Sequence, residues 1–218
     1  MKKRFVIALF LIILLTTINS PQSFVISKFN LKTIVIENNL LLKDKDVKSL
    51  LIPFYNKNLI FLNNNEVKKA LLQNSFIESF KIKKKYPNTL RIRIYEKKPI
   101  AILLKKQNKF LLSDKIDLIK FQEIGNFNHL PYVIGDEKKF KTFYLNLEKI
   151  NFPINTVKKF IFYDINRWDL ETKDKKVIKL PKNNYIESLK NYLKLIKNDS
   201  FKKYEMFDYR INNQLILK

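Results

Sequence analysis

Reactive side chains at working distances are scarce in this sequence. His129 is the only histidine, and no serine or cysteine nucleophile surrounds it, so a structural role in a turn is the plain reading. Two acidic pairs, Asp169 with Glu171 and Asp114 with Asp117, have the composition that two-carboxylate glycoside hydrolysis needs. Residues i and i+2 of a strand share a face, so the first pair is geometrically allowed. Both pairs lie beside turns in a lysine-rich surface, which favours solvated charge. With no Cys there is no disulfide, thiolate zinc site or cysteine nucleophile, and a single His excludes a two-histidine metal site. Gly125 and Gly135 are the only glycines, so a glycine-rich phosphate loop cannot be built. These absences exclude much familiar enzymology, nucleotide enzymes above all; the expectation is no catalytic residue, cofactor, metal or small-molecule substrate, with a periplasmic enzyme kept as a rival reading.

A chain of 218 residues, 46% of them hydrophobic, can bury one or two real cores. Its net charge of +23 attracts polyanions in principle. The cations are 38 Lys against 5 Arg, however, and base-reading surfaces favour the planar Arg fork. Compositional drift toward lysine therefore competes with a selected anion-binding role. The densest cluster is Lys81 to Lys85 with Arg91 and Arg93, either a solvated sheet face or a partner-facing one.

These residues need elements to hold them. Lys2, Lys3 and Arg4 precede an uncharged apolar run from Phe5 to Ile18, with Phe5, Leu9, Ile12 and Leu15 as its membrane-facing residues. Fourteen residues rise only about 21 Å, the length of a signal-peptide core. Extended through Ile26, the helix reaches about 33 Å and suits a transmembrane anchor over 5–26. Whether the segment is ever cleaved stays open. In either case residues 1–4 form a cytoplasmic stub by the positive-inside rule, and the remainder is exported. Nucleic acid is then not an expected partner.

Residues 28–98 read as β-α-α-β-β. Leu31 to Ile36 forms a strand ending at Asn38-Asn39, which tolerate a left-handed turn. Asp44 or Asp46 caps a helix with Val47, Leu50, Leu51 and Phe54 inward, and Asn63 with Glu66 opens a second in the manner of a capping box. Phe76, Phe80 and Ile82 line one strand. Tyr86-Pro87-Asn88-Thr89 is a turn, and Leu90, Ile92 and Ile94 alternate with polar neighbours. Residues 99–218 read as an antiparallel sheet with helices on one side. One helix carries Phe140, Phe143, Tyr144 and Leu147 inward. A second, capped near Asn184 with Glu187, carries Ile186, Leu189, Leu193 and Ile196. Trp168 alternates with Leu170 and belongs in the core. The last strand is an edge open to a partner strand.

Several stretches resemble a known family. Phe76-Ile77-Glu78-Ser79-Phe80-Lys81-Ile82, Tyr86-Pro87-Asn88-Thr89-Leu90 and Tyr95-Glu96-Lys97-Lys98-Pro99-Ile100-Ala101 are similar to a POTRA domain, specifically that of the FtsQ/DivIB cell-division family. Leu130-Pro131-Tyr132-Val133-Ile134-Gly135, Arg167-Trp168-Asp169-Leu170, Val177-Ile178-Lys179-Leu180-Pro181 and Phe207-Asp208-Tyr209-Arg210 resemble the family's distal β domain. The resemblance implies an α+β protein with a single N-terminal transmembrane helix, a POTRA domain over 28–98 and a C-terminal β domain over 99–218. It implies an inner-membrane, single-pass scaffold with most of the chain periplasmic, concentrated at the division septum. It also implies partners like FtsB and FtsL, whose strand extends the sheet at Asp208, Tyr209, Arg210, Ile211, Leu215, Ile216 and Leu217. A second contact surface is implied at the hairpin bearing Tyr86, Arg91 and Arg93.

Two features depart from the family pattern: only four residues precede the apolar run, and Asn38-Asn39 stands where a Gly-Asn pair is common. The rival readings are a POTRA-containing outer-membrane assembly or secretion factor and a periplasmic glycan-binding protein.

Overall fold

Leu90, Ile92 and Ile94 are buried while Arg93 between them is exposed, so a period of two decides which face of the central strand enters the core. In the computed structural model, which describes residues 2–16, 27–122, 124–211 and 214–218, the chain divides into two units, Met1–Glu96 and Lys97–Lys218.

The first unit holds a three-stranded sheet in the order β1-β3-β2, built from β1 (Thr33–Glu37), β2 (Ile77–Lys85) and β3 (Thr89–Glu96). Strand β1 runs parallel to β3, and β2 runs antiparallel to it through a hairpin whose Tyr86–Pro87 bond is cis. Two short helices, α2 (Asp44–Ser49) and α3 (Asn64–Leu71), supply Val47, Val67 and Leu71 to the core, which Ile34 and Ile36 of β1 join. Helix α2 begins after Lys43 without a side-chain cap. Asp44 and Asp46 occupy its first turn instead, where negative charge suits the helix dipole. Asn63 does cap α3, its side chain accepting from the Asn65 N–H at 2.9 Å, while Glu66 turns to Lys57 at 3.7 Å. Asn38 adopts φ 65° and donates to the Ile94 carbonyl at 2.8 Å. The motif residue Glu96 then gathers the next loop, its carboxylate accepting from the N–H groups of Leu40, Leu41 and Leu42 at 3.2, 2.7 and 2.9 Å.

The N-terminal segment requires a correction. Helix α1 spans Lys2–Thr16, 15 residues, and rises about 22 Å against a hydrocarbon core of about 30 Å. Among the described residues no helix is long and apolar enough to cross a membrane. The anchor expected over 5–26 is therefore not supported, and its portion from 17 to 26 lies outside the described residues. Phe5, Leu9 and Ile12 are exposed on α1, and Leu15 falls within the same helix.

The second unit is a nine-stranded sheet in the order β12-β11-β10-β9-β8-β7-β4-β5-β6. Its strands are β4 (Pro99–Lys105), β5 (Asn108–Ser113), β6 (Leu118–Lys120), β7 (Tyr132–Ile134), β8 (Val157–Tyr163), β9 (Arg167–Thr172), β10 (Val177–Lys179), β11 (Met206–Asp208) and β12 (Ile216–Leu217). The sheet is mixed, not antiparallel as expected: β4 with β7, β7 with β8, and β10 with β11 are parallel. The cause is connectivity. Helix α4 (Glu137–Lys149) joins β7 to β8, while α5 (Tyr185–Leu195) and α6 (Asp199–Lys202) join β10 to β11. A helical crossover returns the chain to the sheet in the same direction.

Phe140, Phe143 and Leu147 of α4 and Leu189 and Tyr192 of α5 share one core with Phe160, Trp168, Leu170, Ile178 and Phe207. Trp168 stacks on Phe143 with ring centroids 4.8 Å apart. Asp136, not Asn184, provides a helix cap in this unit, accepting from the Lys139 N–H at 2.9 Å. Asn184 is left-handed at φ 57° without a side-chain cap, and Glu187 pairs with Lys190 at 2.8 Å. Gly135 lets β7 approach β8, because a Cβ there would stand 2.5 Å from Phe162 Cβ.

Candidate partner-binding edge

Strand β12 is terminal in its sheet and pairs antiparallel with β11, Phe207 opposite Leu217 and Asp208 opposite Ile216. Met206 and Lys218 exchange both backbone hydrogen bonds, N to O at 3.0 Å and 3.2 Å. In an antiparallel ladder such pairs alternate with pairs that make no bond. Ile216 therefore bonds inward to Asp208, whereas the N–H and C=O of Leu217 face away from β11. Side chains alternate as well: Leu215 and Leu217 pack against the core, and Ile216 lies 40% exposed on the opposite face.

The residues expected just before this edge do not act alike. Tyr209 is 8% exposed, and its hydroxyl donates to Asn191 Oδ1 at 3.0 Å, so it holds β11 against α5 rather than standing free. Burial pushes its phenol up from the ordinary tyrosine range. Asp208 is 5% exposed and takes three bonds from the Arg210 guanidinium, Nε to Oδ1 at 2.8 Å, Nε to Oδ2 at 2.9 Å and Nη2 to Oδ2 at 2.5 Å. The bonds from Arg210 hold its carboxyl below the usual carboxylate range. Ile211 is exposed.

A cross-strand row on the face opposite the helices links this edge to the sheet's middle. Asp208 lies between Ile216 and Lys179, Lys179 beside Asp169, and Asp169 beside Ile161. Asp169 is thus not a solvated charge. It is 5% exposed with Arg167 Nε 3.3 Å away, and burial pushes its carboxyl up, against the pull of Arg167 and Lys179. Its sequence partner Glu171 is held separately by Lys158 at 3.2 Å and Lys159 at 2.9 Å. Sequence reasoning named Asp169 but missed its burial, although alternation with buried Trp168 and Leu170 already placed it on the other face.

His129 is exposed, and its carbonyl accepts from Lys173 Nζ at 3.4 Å. Among the described residues no group of three or more His, Cys, Asp or Glu side chains could hold a metal ion.

In the first unit, Arg91 Nε and Arg93 Nη2 each lie 3.0 Å from one carboxylate, Glu37 on β1. Tyr86 is exposed at the hairpin turn and meets Phe29 edge to face at 6.1 Å. Sequence reading did not give Arg91 and Arg93 a shared counter-ion; the parallel pairing of β1 with β3 creates it.

Residues 29–97 match the family model described as "POTRA domain, FtsQ-type". Over a longer span, the chain is 27% identical over 194 residues to "Cell division protein FtsQ" of Rickettsia bellii, covering 87% of this chain and 72% of the relative. The matched segment is a POTRA domain of FtsQ type, and similarity to FtsQ cell-division proteins extends over most of the chain. The FtsQ of Rickettsia conorii is 26% identical over 93% of this chain and 77% of its own. The DivIB of Clostridium acetobutylicum is 25% identical over 44% of this chain and 38% of its own. A solved structure, the major extracytoplasmic domain of DivIB from Geobacillus stearothermophilus, overlaps 47% of this chain and 92% of that one at TM-score 0.35 and 17% identity, a likeness that decides nothing. These similarities to FtsQ and DivIB proteins support a division-related role.

Proposed function

We propose that the protein is a non-enzymatic scaffold of the bacterial divisome, acting at the septum on the periplasmic side of the inner membrane and recruiting and linking other division proteins. Small partners like FtsB and FtsL each offer an extended segment. One such segment adds a strand beside β12, drawing affinity from backbone hydrogen bonds and specificity from alternate side chains. The observation that carries this reading is the outward N–H and C=O of Leu217 on a terminal strand whose own inward bonds are already made. Ile216 on one face and Leu215 and Leu217 on the other flank the incoming chain. Arg210, beside the edge and partly exposed, is available to an acidic group on the partner.

Capture of FtsB-like and FtsL-like partners by the full chain tests the edge. Leu217→Pro removes an outward donor and is expected to reduce capture about tenfold or more while the thermal melt is kept; unchanged capture overturns the edge assignment. Depletion in the native cell, followed by septum imaging, tests the role itself. Filamentation is expected, and normal septation refutes it.

A further inference from the structure

The outward face of the β1-β3-β2 sheet is a flat array of cations. Successive rows across it are Thr33-Thr89-Lys85, Val35-Arg91-Lys83 and Glu37-Arg93-Lys81. Neighbouring strands stand about 4.8 Å apart and same-face residues about 6.7 Å along a strand, so the five cations share one small plane. Glu37 is the only acidic member of these rows, and both guanidinium groups already share it. Lys83 and Lys85 are exposed, and Lys81 lies over the Tyr95 ring at 5.9 Å. The opposite face of the sheet is taken by the core, so this face is the unit's uncovered sheet surface among the described residues.

We propose that this array, Lys81, Lys83, Lys85, Arg91 and Arg93 on one flat sheet face, docks on the anionic phospholipid surface of a membrane. The occupant follows from charge and shape. A planar lattice of positive charge, mostly compact lysine ammonium groups, suits a planar lattice of phosphates, with no groove to select a single ligand. The same unit contains α1, whose side chains from Phe5 to Leu14 are uncharged, apolar and exposed, a contiguous apolar surface of the kind that marks an interaction site. Tyr86 adds an exposed aromatic ring at the hairpin tip, a residue type that sits comfortably at a lipid–water boundary.

The chain has no cysteine, so a single Ser79→Cys on this face reports its burial without background. The full-length variant is incubated with phosphatidylcholine vesicles, with and without phosphatidylglycerol, and the rate of labelling by a charged maleimide is measured. Labelling is expected to slow about threefold or more on the anionic vesicles only, and to recover in high salt, where the screening length falls to about 3 Å at 1 M. The slowing is also expected to vanish in the Lys81→Glu, Lys83→Glu, Lys85→Glu background with an unchanged melt. Equal rates on both vesicle types overturn the proposal, as does slowing that survives the charge reversals. Slowing by lipid-free polyglutamate with none on vesicles assigns the face to an acidic protein and overturns it equally. None of these outcomes depends on β12 or on any division partner.

Discussion

Strands β2 and β12 are both sheet borders, and they treat a passing strand in opposite ways. Along β2 the sequence places Lys81, Lys83, Lys84 and Lys85, and Lys84 donates to the Ile60 and Leu62 carbonyls at 3.1 and 2.8 Å. Lysine on a border resists unplanned pairing, because an incoming chain must approach its charge. Strand β12 carries Ile216 and Leu217, both uncharged. The difference teaches that two borders of one chain can present opposite chemistry to an approaching strand, charge on β2 and apolar side chains on β12.

Four changes probe this contrast, in descending order of effect. Phe207→Ala removes a fully buried ring that meets Tyr192 at 5.0 Å beneath the β12 border, and about 3–5 kcal/mol is expected to be lost in denaturant unfolding of the second unit. Ile216→Pro deletes an inward donor, unlike Leu217→Pro, and is expected to cost about 1–3 kcal/mol because the Asp208 carbonyl loses its partner; a melt matching that of Leu217→Pro breaks the alternation on which the edge rests.

Arg210→Ala is expected to cost about 1–2 kcal/mol, a charged hydrogen bond discounted for the exposure of the guanidinium. The loss is pH-dependent. Asp208 is depressed in the folded state, so the pair's contribution is complete above the unfolded value of about 3.9 and disappears as pH falls through the folded one. Asp169 shifts upward instead. Carboxyl NMR on acidification should therefore show Asp169 taking its proton before Asp208. Lys83→Leu is expected to change stability by less than about 0.5 kcal/mol while raising self-association in sedimentation, which reads directly how well β2 is guarded.

Periodicity made much of this legible in advance. Alternation identified β3 and Trp168 as core, Asn63 announced its helix, and the chain's ending on strands pointed to a terminal border. Direction was harder to read: β7 and β10 are three residues long, and the helical crossovers that follow each of them make the sheet mixed. Asn184 looked like a cap by composition, but its left-handed backbone turns the side chain from that duty. The candidate edge was visible as a run of apolar residues, whereas the inward role of Tyr209 depends on Asn191, eighteen residues earlier. The apolar start of the chain suggested more length than the described helix has.

Lys176 is 8% exposed, with its ammonium donating to the carbonyls of Lys202 at 2.7 Å and Tyr204 at 2.9 Å, while its N–H donates to Thr172 Oγ1 at 2.9 Å. It rivets the chain entering β11 to the bend between β9 and β10. Tension arriving through an added strand thus meets this rivet together with the β10–β11 ladder, and the load is distributed into the interior of the sheet before the final hairpin can peel.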